Sequence, residues 1–353
     1  MKYLLIDSNN LSLRVSFTNN TLVNKDLVPS GLHYGYFQSL INLKKKFPDY
    51  QFLISWDGHS ERRIKESEEA VRLGITPEIY KGNRKKEVMP QPILDFYEQS
   101  PYLKRALEHT GIPQIRIDSI ETDDLLSAYA KLLKKDNEVV CITSDKDYYQ
   151  ILDDSVTVYD GMKDKMITKT SFTEEYGIEP TQWVDVGALM GDDGDNIFGT
   201  PGVGEKTALK EIKKHETWEK VISFYKEKHK GLLTKYPDYG SQASIEEITE
   251  FKEKVIEAKS EKDKLIFPEV NMMMPYARVI LAFAKGEIKI PKVELMLMAF
   301  EKRTKVAYSL KKMDDIPDLP EIKQGEFNAD KLMEYFEYYD IETLKDGISA
   351  FEK

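Results

Sequence analysis

Asp and Glu residues recur in this chain at spacings that could hold cations. Asp7 and Asp57 each follow an apolar run; Glu121, Asp123 and Asp124 form one cluster, Asp145 and Asp147 a second, Asp192 and Asp195 a third. Any one group has an ordinary explanation, since a helix start such as Glu121 to Asp124 favours acids against the helix dipole. Gathered in one place they would repel, and burying like charges is costly unless cations or protons offset them. Divalent ions are the economical counter-charge. An oxygen-only donor set without His or Cys suits Mg²⁺ or Mn²⁺ rather than Zn²⁺. Two such ions about 4 Å apart form the general arrangement for in-line displacement at a phosphodiester.

A second element, Gly199-Thr200-Pro201-Gly202-Val203-Gly204-Glu205-Lys206-Thr207, reads as a phosphate cradle in one of two forms. A Walker A loop needs Gly, four residues and then Gly-Lys-Ser/Thr; here the lysine comes one position late, and no clear strand precedes. A helix-hairpin-helix turn fits better, with Gly202 and Gly204 letting the backbone approach a phosphate at the start of the next helix. Such a turn grips backbone without reading bases. Lys206, Lys210, Lys213 and Lys214 recur on one side of that helix, either as a solvated face or as a phosphate track.

Positioning these groups requires strands and helices in a definite order. Runs at residues 3–6, 52–56, 139–143 and 156–159 are rich in Ile, Leu, Val and aromatics and read as buried strands. Helix-period segments at 31–47, 92–109 and 120–134 lie between them. This alternation predicts an α/β fold with a mostly parallel, doubly wound sheet. Asp7, Asp57, Asp145 and Asp147 then fall at or just past the carboxyl ends of strands, where open α/β sheets bind ligands. Beyond residue 180 the chain reads as helical, with a polar break at 235–244, a Pro-rich linker at 316–320 and an N-cap at Asn328 opening a last helix.

The bulk properties narrow the class. With 353 residues, 41% hydrophobic and 32% charged, the chain can build a large core, and disorder is not indicated. Cys141 is the only cysteine, so no internal disulfide forms, and the five histidines show no zinc-ligand spacing. The formal charge of −10 argues against a polyanionic partner until its distribution is read. Residues 61–86 hold eight Lys/Arg against five Asp/Glu, a local +3 that leaves −13 for the remainder. The first residues carry too short an apolar run for a signal peptide and no stretch reaches membrane-spanning length, so a cytoplasmic protein is expected.

Glu121-Thr122-Asp123-Asp124, Thr143-Ser144-Asp145-Lys146-Asp147, and Gly191-Asp192-Asp193-Gly194-Asp195-Asn196-Ile197 leading into Gly202-Val203-Gly204-Glu205-Lys206-Thr207-Ala208 resemble the bacterial and bacteriophage 5′ nuclease family. That family includes phage flap endonucleases and the N-terminal nuclease domain of bacterial DNA polymerase I. The agreement in order and spacing covers roughly residues 1–215. The resemblance implies a PIN-like nuclease core over 1–180 with a helical arch at 60–90, a helical lobe with a helix-hairpin-helix (H3TH) motif over 181–265, and a helical extension over 266–353. It implies two Mg²⁺ or Mn²⁺ ions: Asp7, Asp57, Glu121 and Asp123 around one, and Asp145, Asp147 and Asp195 around the other, with Asp124 and Asp192 at further acidic positions. A K⁺ ion at the hairpin turn belongs to the same pattern. Tyr80-Lys81-Gly82-Asn83-Arg84 matches the arch base, with Lys81 and Arg84 placed to grip the scissile phosphate and Tyr80 either stacking on a base or simply packing. Gly202, Gly204, Lys206, Thr207 and Lys210 would hold duplex backbone. The segment from His59 to Pro77 departs from the pattern, since Glu66, Glu68 and Glu69 dilute the basic arch.

The implied function is a structure-specific 5′ nuclease of monomeric form that removes 5′ flaps or RNA primers from branched or nicked DNA or RNA/DNA hybrid, free-standing or beside a separate DNA polymerase. Two other classes compete: a non-catalytic binder of branched DNA, and a phosphatase using Asp145 as nucleophile. The latter leaves Asp195, the glycine turn and Lys81 unused.

Overall fold

A computed structural model describes residues 1–84, 88–236, 277–284 and 286–352. The polar break expected at 235–244 lies, beyond Tyr236, outside the described residues, as do Lys85 and Lys86 of the basic strip. The four apolar runs form strands, joined by two short edge strands: β1 (Lys2–Asp7), β2 (Gln51–Ser55), β3 (Gln114–Ile115), β4 (Glu138–Ile142), β5 (Val156–Asp160) and β6 (Lys165–Ile167). They make one sheet of order β3-β2-β1-β4-β5-β6, parallel except for β6, which runs antiparallel to β5. In β1, β2 and β4 four consecutive residues are buried, the continuous apolar pattern of parallel strands covered on both faces. From β1 the chain winds outward to β2 and β3, then returns to β4 on the other side of β1. That reversal makes the carboxyl end of β1 a topological switch point.

Two compact units emerge. Met1–Glu61, Arg84–Glu175 and Met313–Lys353 form the sheet unit; Arg62–Asn83 and Tyr176–Lys312 form the other. The expected extension over 266–353 is therefore not one piece. Its last part belongs to the sheet unit, because Leu332, Phe336, Ile341, Leu344, Ile348 and Phe351 share a core with Leu4, Ile6, Phe37 and Phe52. Asn328 does cap the last helix (Ala329–Tyr338), accepting from the Lys331 N–H. The Pro-rich stretch is pinned to a neighbour: Tyr129 donates to the Pro320 carbonyl, and Lys131 pairs with Asp315.

The second unit is helical, with helices at Trp183–Met190, Glu205–His215, Trp218–Lys228 and Glu301–Lys311. It also holds a two-residue ladder, Gly191–Asp192 against Ile197–Phe198, so a short strand does precede the glycine element. That strand is antiparallel and outside the main sheet, unlike the strand of a Walker A loop.

His33 fastens the last helix to the core. Its Nε2 donates to Gln99 Oε1 (3.2 Å) and its Nδ1 accepts from Tyr335 (2.5 Å). Full burial pushes its pKa from 6.5 down to about 4, so the imidazole stays neutral in the fold. A base whose pKa is depressed on folding contributes stability that is complete above pH 6.5 and is lost as pH falls from there towards 4, up to about 3 kcal/mol. Thermal melts between pH 7 and 4.5 should therefore show a shallower acid loss for His33→Gln than for the wild type, from a lower starting point. Parallel slopes would remove His33 from the acid response.

Candidate functional site

Local capping chemistry sets the acids of the sheet unit in place. β1 runs directly into helix α1 (Ser8–Thr18), and Asp7 is its N-cap, one oxygen accepting from the Asn10 N–H (3.0 Å). Its other oxygen accepts from the Thr143 hydroxyl just past β4 (3.2 Å), and that same hydroxyl oxygen accepts from the Asp145 N–H (3.1 Å). Asp57 lies two residues past β2. Its Oδ1 accepts from the Thr122 N–H (2.9 Å) at the start of helix α2 (Thr122–Leu133), whose N-cap is Glu121; an anion is favourable at that helix end. Asp145 caps the 3₁₀ turn Lys146–Ile151 by accepting from Asp147 N–H (2.8 Å). Asp7 is thus held through both carboxylate oxygens, and Asp57 and Asp145 are each anchored to a backbone N–H.

Burial and repulsion among these acids act together on Asp7. Burial, then Asp57, then Asp123 push its carboxyl up to about 7, against the opposing Asn10 and Thr143 hydrogen bonds. Tyr148 is fully buried, and its hydroxyl has no hydrogen-bond partner among the described residues. Burial and then the charges of Asp7 and Asp123 raise its pKa well above the ordinary tyrosine value. Among the described residues, no three His, Cys, Asp or Glu side chains are placed so that they could hold a metal ion as they stand. The chemistry of the candidate donors nevertheless fits a hard dication: all are oxygen, Asp7 and Glu121 are buried, and the Tyr148 hydroxyl sits in the same acidic field.

Asp124 differs from its neighbours. It is fully buried, and its Oδ1 accepts from the Asp314 N–H (2.7 Å), a tie to the segment that follows residue 313. Arg84 is exposed.

The remaining candidates lie in the helical unit. Asp192, expected among the metal acids, has both oxygens engaged: Oδ1 accepts from the N–H groups of Gly194 (2.9 Å) and Asp195 (3.4 Å), and Oδ2 from Lys311 (2.8 Å). Burial alone would raise its pKa, but Lys311 and those N–H groups hold the carboxyl below the usual range. Asp195 accepts from the Tyr80 hydroxyl (3.2 Å), and Lys81 Nζ lies 3.9 Å from it. Tyr80 is buried with Ile197, Ala307 and Leu310. Lys81 adopts φ +54°, a conformation uncommon for a non-glycine residue and typical of functional positions. Its N–H donates to the Asp195 carbonyl (2.8 Å).

The glycine element is a turn stapled by a Val203 N–H to Thr200 carbonyl bond, with Gly202 at φ +78°; Pro201 and Gly202 occupy the central positions that a type II turn demands. Gly204 caps the Glu205–His215 helix, and the Thr207 N–H donates to its carbonyl. A side chain at Gly204 would meet nothing within 4 Å, so the fold leaves that helix start open. Lys206, Lys210, Lys213 and Lys214 line one shallow hollow of about 570 Å³.

Sequence reasoning missed the groups that hold the acids. Asn9 Oδ1 accepts from the Asp57 N–H, and Asn10 Oδ1 from Ser144. The pair Asn9-Asn10, two residues past Asp7, was the available signal. Lys311 gave none, being one lysine among many on a charged helix.

Comparison with known proteins gives a consistent result. Residues 2–177 match the model of the 5′-3′ exonuclease N-terminal resolvase-like domain, and residues 178–265 that of the 5′-3′ exonuclease C-terminal SAM fold. A 5′-3′ exonuclease of Buchnera aphidicola is 34% identical over 222 residues, 62% of this chain and 72% of that protein. DNA polymerase I of Bacillus subtilis is 33% identical over 250 residues, 69% of this chain, but the chain spans only 27% of the polymerase. The fold is that of T5 5′-exonuclease, solved with zinc ions bound (TM-score 0.51, 21% identity, 88% of this chain and all of the other).

The two glycines separate backbone strain from open space. Gly202→Ala should cost about 1–2 kcal/mol, because φ +78° is strained for an L side chain, while Gly204→Ala leaves the melting temperature unchanged. Equal losses in differential scanning calorimetry would contradict this turn geometry.

Proposed function

The chain belongs to the 5′-3′ exonuclease family, and from that membership we propose that it is a structure-specific 5′ nuclease, acting as flap endonuclease and 5′-3′ exonuclease on branched or nicked DNA. The observation that carries this reading is geometric: buried Asp7 is linked through the Thr143 hydroxyl to the Asp145 N–H, while Asn9 and the Thr122 N–H hold Asp57 beside the same strand ends. Carboxylates gathered in this way are at ease as anions only beside a cation.

Asp7, Asp57, Glu121 and Asp123 are assigned to one Mg²⁺ or Mn²⁺, and Asp145, Asp147 and Asp195 to a second. When bound, the ions supply Lewis acidity towards the phosphate oxygens and neutralise the ligands. Asp57 and Asp145 are each anchored through one oxygen to a backbone N–H, which keeps ligand geometry fixed while charge moves on the substrate. Asp124 and Asp192 brace the segments beside the ligands. Lys81, and with it Arg84, stabilises the negative charge that builds on the scissile phosphate. Gly202, Gly204, Lys206, Thr207 and Lys210 hold duplex backbone without base readout, with K⁺ at the turn as a further component. RNA in an RNA/DNA hybrid is accepted on the same terms, the enzyme acts as a monomer in the cytoplasm, and a separate DNA polymerase supplies the flap.

The test is incubation with end-labelled 5′-flap DNA and with a generic phosphate ester, each with Mg²⁺ and with chelator. Mg²⁺-dependent cutting of the flap alone is expected. Binding without cutting would select the structural binder, and ester hydrolysis the phosphatase. Asp145→Asn with Asp147→Asn should abolish cutting and leave flap binding and folding intact; a chain that no longer folds would make these acids structural. Lys81→Ala should lower single-turnover cleavage by roughly 10²–10³-fold, and a near-normal rate would take Lys81 out of the reaction.

A further inference from the structure

We propose that Lys311 is a positioning residue for the acidic loop at residues 191–196, a fixed internal cation that sets where Asp195 stands. The inference rests on Asp195 serving as a metal ligand, as assigned above. Lys311 closes the Glu301–Lys311 helix, and its side chain is only 5% exposed. A buried ammonium must be paired, and Lys311 reaches Asp192 Oδ2 at 2.8 Å.

From Asp192 the constraint passes along the loop. The opposite oxygen accepts from the N–H groups of Gly194 and Asp195 (2.9 and 3.4 Å). The Asp195 carbonyl in turn accepts from Lys81 N–H (2.8 Å), and Asn196 Nδ2 donates to the Ile79 carbonyl (2.7 Å). Asp195 is therefore held at both its backbone nitrogen and its backbone oxygen, and the nitrogen end depends on a carboxylate that Lys311 holds in place.

A second, independent observation concerns Gly187 on the Trp183–Met190 helix. A Cβ there would come within 3.2 Å of Lys311 Cε and 3.4 Å of its Cγ. Gly187 lies inside a helix, where alanine is the better helix former, so the missing side chain is what the site uses. The Lys311 stem runs through that space.

The experiment measures Mn²⁺ binding calorimetrically to the full chain as wild type, Lys311→Met and Gly187→Ala, with thermal melts in chelator and flap cleavage beside it. Removing a positive charge would by itself strengthen Mn²⁺ binding, so weakening reports lost geometry. Lys311→Met should bind Mn²⁺ about tenfold more weakly, the range for losing a residue that orients a ligand, with kcat falling and the KM for flap DNA steady. Gly187→Ala, with all charges kept and melting at or above the wild-type temperature, should show a smaller loss in the same direction. Unchanged or tighter Mn²⁺ binding in Lys311→Met, whatever its stability, overturns the proposal. If that variant does not fold, Gly187→Ala decides on the same criterion. No Mn²⁺ uptake by the wild type would overturn the metal assignment itself, and this inference with it.

Discussion

Repulsion between carboxylates at the carboxyl edge of a parallel sheet is the constraint on which the rest depends. Asp7 cannot leave, since it ends the central strand and caps the helix that follows. Asp57 is tied to the start of a later helix by the Thr122 N–H, and Glu121 occupies that helix's N-cap position. Capping makes the acids locally favourable, while their proximity makes them jointly unfavourable. Backbone N–H groups, Thr143, Asn9 and Asn10 hold this edge in place. Burial, with the charges of Asp57 and Asp123, still pushes the Asp7 carboxyl above the usual carboxylate range.

The helical unit meets the same difficulty by another route. Asp192 has a permanent counter-ion in Lys311, and its pKa moves below the ordinary range where that of Asp7 moves above it. Two acids in one family pattern thus have opposite electrostatic fates. Asp192 is charged and satisfied by Lys311, whereas the partners of the Asp7 carboxylate among the described residues are the neutral Asn10 N–H and Thr143 hydroxyl.

Much of this was legible in the sequence. The four long strands were readable because buried parallel strands are continuously apolar, and the glycine turn because Pro201-Gly202 has few other uses. The edge strands Gln114–Ile115 and Lys165–Ile167 were not, being too short to show any period. The two-unit division was also hidden, since nothing local marks residues 62–83 and 313–353 as belonging with distant parts of the chain. The N-cap at Asn328 predicted the last helix but not the core it completes. The carboxylates were visible as a group, but the groups that hold them were not: Asp124 is tied to the Asp314 N–H and Asp192 to Lys311, each more than a hundred residues away.

Anomalous diffraction from crystals grown in Mn²⁺ tests the central claim most directly. Peaks are expected within direct or single-water reach of Asp7, Asp57, Glu121, Asp123, Asp145 and Asp147, with the Asp7 carboxylate facing one of them. An Asp7 carboxyl with no peak near it at saturating Mn²⁺ would contradict the claim that this acidic edge exists to hold cations.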